Sequence, residues 1–159
     1  MRRKMKRLVN TVLAIGVGFI CQACGPTSPT TGESVKSGLD ISLVGANSKS
    51  AAAHDNTQFF VAVKNNGPSP VLITYVKNVV SLPNTDWLVS FCIGSNCYSP
   101  KVDSVESVVA IPVGSTDSCS IDISTGAAGG TAVVVFKIYN KADPAQKFEQ
   151  TFSCTVASK

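Results

Sequence analysis

The chain has 159 residues with a formal net charge of +4, 44% apolar residues and 15% charged residues, enough for one domain with a real core. The charge is unevenly placed: all five basic residues before Cys24 lie within the first seven positions, whereas from Cys24 onward nine Lys and no Arg face ten Asp plus Glu, a balance of −1. That balance, without the arginines favoured for bidentate phosphate contacts, argues against a nucleic-acid partner for the folded part.

The chain opens "MRRKMKR" and continues with thirteen uncharged, mostly apolar residues, Leu8 to Ile20. A spanning helix needs about 20. A cationic block beside a short apolar run is the pattern of an export signal, so residues 1–23 are expected to be a signal peptide and the protein to be exported. Next comes "CQAC", residues 21–24, followed by "GPTSPTTGESVKSG", rich in Pro, Thr, Ser and Gly. That composition cannot offset its own ordering entropy and predicts a flexible spacer over 24–38.

Cys24 has three readings: a structural thiol, half of a CxxC redox pair, or the site of cleavage and lipid attachment. The redox reading fails because Cys21 sits in the leader and no βαβ unit surrounds the pair. Cleavage after Ala23 discards Cys21 and leaves five cysteines, an odd number in a disulfide-permissive compartment; acylating Cys24 leaves four, which can pair completely. The stretch resembles a bacterial lipobox, in which Leu, a small residue and Gly or Ala precede the lipidated Cys. Ala23 and Cys24 match that pattern, and Cys21 and Gln22 stand where Leu and a small residue are usual. The resemblance implies lipidation at Cys24 and two acyl chains, enough for stable anchoring.

From residue 39 to 159 the pattern is strand after strand. Strands are expected at 39–44, 58–64, 71–80, 86–92, 118–124, 131–140 and 147–156, with a short edge piece at 107–112 closed by Pro112. Phe59, Val61 and Val63 share one face, as do Cys119, Ile121 and Ile123. No segment shows a helical period, so parallel βαβ pairing is not expected. Some 120 residues suffice for one core burying roughly 65% of the unfolded surface. The fold class predicted is all-β, an antiparallel two-sheet sandwich of about seven to eight strands.

The order "FFVAVKNNGPSPVLITY", Trp87, "SFC....CY", "IPVG" and "GTAVVVFKIYNKADPAQKFEQTF" resembles immunoglobulin-like modules of bacterial surface and secreted proteins, without the antibody-type Cys–Trp–Cys spacing. The resemblance covers 39–156; it implies an immunoglobulin-like fold and an envelope location, and no fixed chemistry.

Four cysteines remain: Cys92, Cys97, Cys119 and Cys154. Three connectivities are possible. Proximity favours Cys92–Cys97 around the turn "IGSN", leaving Cys119–Cys154 to close a 36-residue loop by elimination. A zinc site would need a second local cysteine pair, which is lacking, and a blue-copper site would need two His where only His54 exists. No metal or other cofactor is therefore expected. No catalytic motif of the nucleophile-elbow, zinc-protease or phosphate-loop kind occurs, and the Gly-rich "STGAAGG" has the composition of a hairpin loop. Trp87, Tyr98 and Lys101 lie near the Cys92–Cys97 loop in sequence and form the candidate binding cluster, with Trp87 alternatively buried in the core.

The function expected is that of a membrane-anchored exported lipoprotein carrying a non-catalytic structural, adhesive or binding domain. Its partners would be the membrane, through the lipid, and another envelope protein or a glycan. A soluble secreted binding module and a periplasmic hydrolase are the alternatives.

Overall fold

The computed structural model describes residues 38–158; the signal-peptide, lipidation and spacer readings concern residues outside that range. Ten strands follow in chain order: β1 (Leu39–Val44), β2 (Ser48–Ala51), β3 (Asn56–Asn65), β4 (Ile73–Ser81), β5 (Leu88–Ile93), β6 (Asn96–Tyr98), β7 (Ser104–Glu106), β8 (Thr116–Ser124), β9 (Gly130–Asn140) and β10 (Lys147–Val156). Among the described residues there is no helix.

Two five-stranded sheets form, ordered β1-β3-β8-β5-β6 and β2-β10-β9-β4-β7. With β1, β3, β4, β5, β8, β9 and β10 as seven successive core strands, one sheet takes the first, second, fifth and fourth and the other the third, sixth and seventh. That is the immunoglobulin-like arrangement. Strict alternation generates it: in β3, Phe59, Val61 and Val63 are buried while Gln58, Phe60 and Lys64 are exposed. The opposite sheet supplies Ala132, Val134, Phe136 and Ile138 of β9 and Phe148 and Phe152 of β10. Phe59 meets Phe152 across the interface at 5.1 Å between ring centroids, and Phe91 meets Phe136 at 5.8 Å. Such tilted pairs add about 0.5–1.5 kcal/mol each beyond area burial.

Three expectations are corrected. Residues 107–112 do not form a strand. The edge strand is β7, three residues earlier, and Ile111 makes only an isolated bridge to Val71. A parallel pair does exist: β2 runs parallel to β10, Ser48 beside Ser153 through Ala51 beside Val156. Lack of a crossover helix forbids parallel neighbours close in sequence, but these two strands are about 100 residues apart, so the intervening domain makes the crossover.

The third correction is chemical. Cys92–Cys97 is a disulfide, whereas Cys119 and Cys154 are free and buried. Both point into the core, as alternation required, but at different heights. Cys119 pairs with Val61, two residues from Phe59 towards Asn65, and Phe59 meets Phe152 across the core. Asn65 and Gln146 lie at the same end of the sandwich, so Cys154, two residues beyond Phe152 towards Val156, runs the opposite way. Four residues at about 3.4 Å each put the two thiols about 14 Å apart along the strands, against the roughly 4.4–6.8 Å between Cα atoms that a disulfide tolerates.

Candidate functional site

The register defines two ends of the sandwich. At one end lie Gly38, the β3–β4 segment, the β7–β8 segment and the β9–β10 turn. Here Leu39 pairs with Asn65 and Ile73 pairs with Asn140. At the other end lie Trp87, His54 and the Gly126–Gly129 loop, joined by the His54 N–H to the Gly126 carbonyl at 3.3 Å.

The predicted binding cluster is not assembled. Trp87 is buried, packs against Gly126 and donates its indole N–H to the Ala128 carbonyl at 3.3 Å. Tyr98 is half-buried and stacks on Phe91 at 5.1 Å. Lys101 is exposed in the turn closed by the Val102 N–H on the Ser99 carbonyl. A large indole gains more from the core than from water, so the burial alternative for Trp87 holds. His54 is an exposed turn residue with φ of 59°.

The disulfide is a cross-strand staple. Cys92 and Cys97 stand directly opposite each other in the β5–β6 hairpin, Cα atoms 4.0 Å apart. They end a row running across the outer face of the first sheet: Val44, Phe60, Ser120, Cys92, Cys97. Asp122, two residues on from Ser120, shares this outward side yet is buried. One of its carboxyl oxygens accepts from Gln58 Nε2 at 3.3 Å, and the other lies 3.3 Å from Cys92 Sγ. A disulfide sulfur carries no hydrogen, so the second contact is van der Waals rather than a hydrogen bond. Cys92, Cys97 and Asp122 have ligand atoms within 4.8 Å of one another, but a cysteine binds metal as its thiolate, and the disulfide withholds both sulfurs.

Two buried polar residues that sequence patterning missed hold the loops. Lys77 faces the core beside Phe136 and spans the sheets, donating to the Val89 carbonyl at 2.9 Å and the Pro100 carbonyl at 2.7 Å, with Asp103 Oδ1 at 3.5 Å. Burial lowers its pKa, and the Asp103 carboxylate offsets part of that. Asn65, 2% exposed, uses its whole amide: Nδ2 donates to the Ser69 and Ile111 carbonyls, each at 2.9 Å, and Oδ1 accepts from the Gly67 N–H at 2.9 Å. The only sequence sign of the second device was the run "NNGPSP", whose turn chemistry does not reveal which Asn points inward.

Asn65 borders a groove of about 750 Å³ at the Gly38 end, where Leu39, Pro68 and Leu72 face Asn140, Lys141 and Gln146. The groove offers a partly apolar floor with amides and one ammonium, which is paired with Glu106. Such a lining can hydrogen-bond a ligand.

No family model and no curated protein matches the sequence. Among solved structures, a family 123 glycoside hydrolase from Clostridium perfringens superposes with a TM-score of 0.54 at 14% identity, over 77% of this chain and 28% of that one. The chain thus spans little more than a quarter of that enzyme's length. The N-terminal domain of PorA superposes with a TM-score of 0.50 at 14% identity, over 74% of this chain and 96% of that one. At such identity the likeness is one of fold, and the fold shared is the two-sheet sandwich.

Proposed function

We propose that this protein is an exported lipoprotein, tied to a membrane of the cell envelope through Cys24, whose immunoglobulin-like domain is a non-catalytic structural, adhesive or binding module. The observation that carries the reading is the sequence ahead of β1: a cationic block, a short apolar run and a lipobox-like cysteine stretch. Gly38 is exposed at one end of the sandwich, and the lipobox-like Cys21–Cys24 stretch precedes it by fourteen residues, counted from Cys24 to Ser37. The domain's own chemistry supports a binding role over a catalytic one. Two of its buried polar side chains, Asn65 and Lys77, are engaged with backbone carbonyls, and the groove at the Gly38 end sets amides beside an apolar floor, a lining suited to a glycan or a polar protein segment.

A soluble secreted binding module is the second reading, favoured by Cys21 and Gln22 standing where a lipobox has Leu and a small residue. The test is fractionation of the full chain and its Cys24→Ser variant expressed in a bacterial host. The wild type is expected in the detergent phase and the variant in the aqueous phase. Wild-type protein in the aqueous phase refutes the anchor.

A further inference from the structure

The segment between β7 and β8 is uncharged from Ser107 to Thr116 and carries the two most exposed large apolar side chains of the described residues, Val108 at 96% and Val109 at 75%, with Val113 at 52%. This is not a loose loop. The Ser107 N–H donates to the Ile73 carbonyl at 2.8 Å, and Ser107 Oγ accepts from the Ile73 N–H at 2.9 Å. Two residues earlier on the same neighbour, Val71 and Ile111 exchange both backbone hydrogen bonds, at 3.1 and 2.8 Å, and the Ile111 carbonyl also accepts from Asn65. Val108, Val109 and Ala110 therefore form an arch with both feet fixed. Leu72, 38% exposed, sits between the feet and also borders the groove that Gly38 lines.

We propose that this end of the domain docks on the lipid surface to which Cys24 is tied, with Val108 and Val109 seated at the boundary between headgroups and acyl chains; the proposal rests on the lipid-anchor reading. Exposed neighbouring valines held rigid are an unfavourable surface in water and a favourable one in a bilayer interface, where no charge of the arch would have to be buried. The choice of a bilayer over another occupant comes from the chain itself. The fourteen residues from Cys24 to Ser37 reach at most about 50 Å and join the domain at the same end as the arch. An anchored domain thus presents the arch to its membrane at high effective concentration, so that even a weak contact is populated.

The experiment uses the protein carrying Val109→Trp, expressed from the full chain and matured in a bacterial host, then mixed with phosphatidylethanolamine/phosphatidylglycerol vesicles containing lipids with nitroxides at graded depths. Trp87, buried at the opposite end, is the internal background. Shallow nitroxides are expected to quench the added emission more strongly than deep ones, as for an interfacial contact, and adding Val108→Asp is expected to restore it. Vesicle-bound protein without quenching overturns the docking and leaves the anchor standing. Protein that stays in the supernatant overturns the anchor and the docking together. Quenching replaced by dimers in sedimentation, lost on Val108→Asp, assigns the arch to a second copy and overturns the lipid surface.

Discussion

Replacing Asn65 tests how the loops at the Gly38 end are held. The amide makes three hydrogen bonds to backbone groups of Gly67, Ser69 and Ile111, and it is almost fully buried. Each such bond contributes about 1 kcal/mol net. Asn65→Ala is therefore expected to cost about 3 kcal/mol. For a domain of this size that corresponds to a fall in Tm of about 12 °C. Asn65→Asp sharpens the test. It keeps the acceptor for the Gly67 N–H but turns lone pairs towards the Ser69 and Ile111 carbonyls, so it should cost more than Ala despite being nearly isosteric. Urea melts of the three proteins, with the slope m checked for constancy, give the comparison. An Asn65→Asp protein as stable as wild type would refute the reasoning, because the side-chain amide would then not be the donor that joins the β3–β4 and β7–β8 segments.

The remaining predictions concern the buried titratable groups and thiols. The Tyr75 hydroxyl is buried without a hydrogen-bond partner, so Tyr75→Phe is expected to be neutral or to raise stability by about 1 kcal/mol in a urea melt. Burial, chiefly, pushes the pKa of Cys119 and of Tyr75 far above their ordinary values of 9.0 and 10.0. The folded chain then keeps protons that the unfolded chain releases, so stability should fall as pH rises past about 9 and further past about 10. Lys77 acts in the opposite sense: its lowered pKa makes the folded chain release a proton first, so its contribution rises towards pH 10.5. Urea midpoints between pH 7 and 11 should therefore decline less steeply for Cys119→Ala and more steeply for Lys77→Met. Thiol titration of the domain should find no reactive group in the native state and two after denaturation without reductant; a native reactive thiol would contradict the burial of Cys119 and Cys154.

Much of the fold was legible because the core strands obey a period of two. The runs at 58–64, 118–124 and 147–156 alternate cleanly, and each became a strand with the expected face inward. The edges were not legible. "SKSA" of β2 is polar and only four residues long, and "SVE" of β7 is three, so neither carries a periodic signal; both exist because a neighbouring strand offers them hydrogen bonds. Val108 and Val109 look like strand residues by propensity, but the chain leaves the sheet at Glu106 and their side chains remain in solvent. The cysteines teach the same lesson in another form. Alternation showed that Cys119 and Cys154 point inward, and only the strand register could show that they stand far apart along the sandwich. Of the candidate site, the local Cys92–Cys97 pair was readable, while Asn65, Lys77 and Asp122 owe their burial to segments distant in sequence.

The central claim is an anchored, singly bridged immunoglobulin-like domain, and the intact mass of the protein matured in a bacterial host tests it most directly. The predicted result is a chain beginning at Cys24 that carries a diacylglycerol-sized increment and gains two hydrogens on reduction of the Cys92–Cys97 disulfide. An unmodified chain beginning at Cys24 would contradict the anchor, and a gain of four hydrogens would contradict the separation of Cys119 from Cys154.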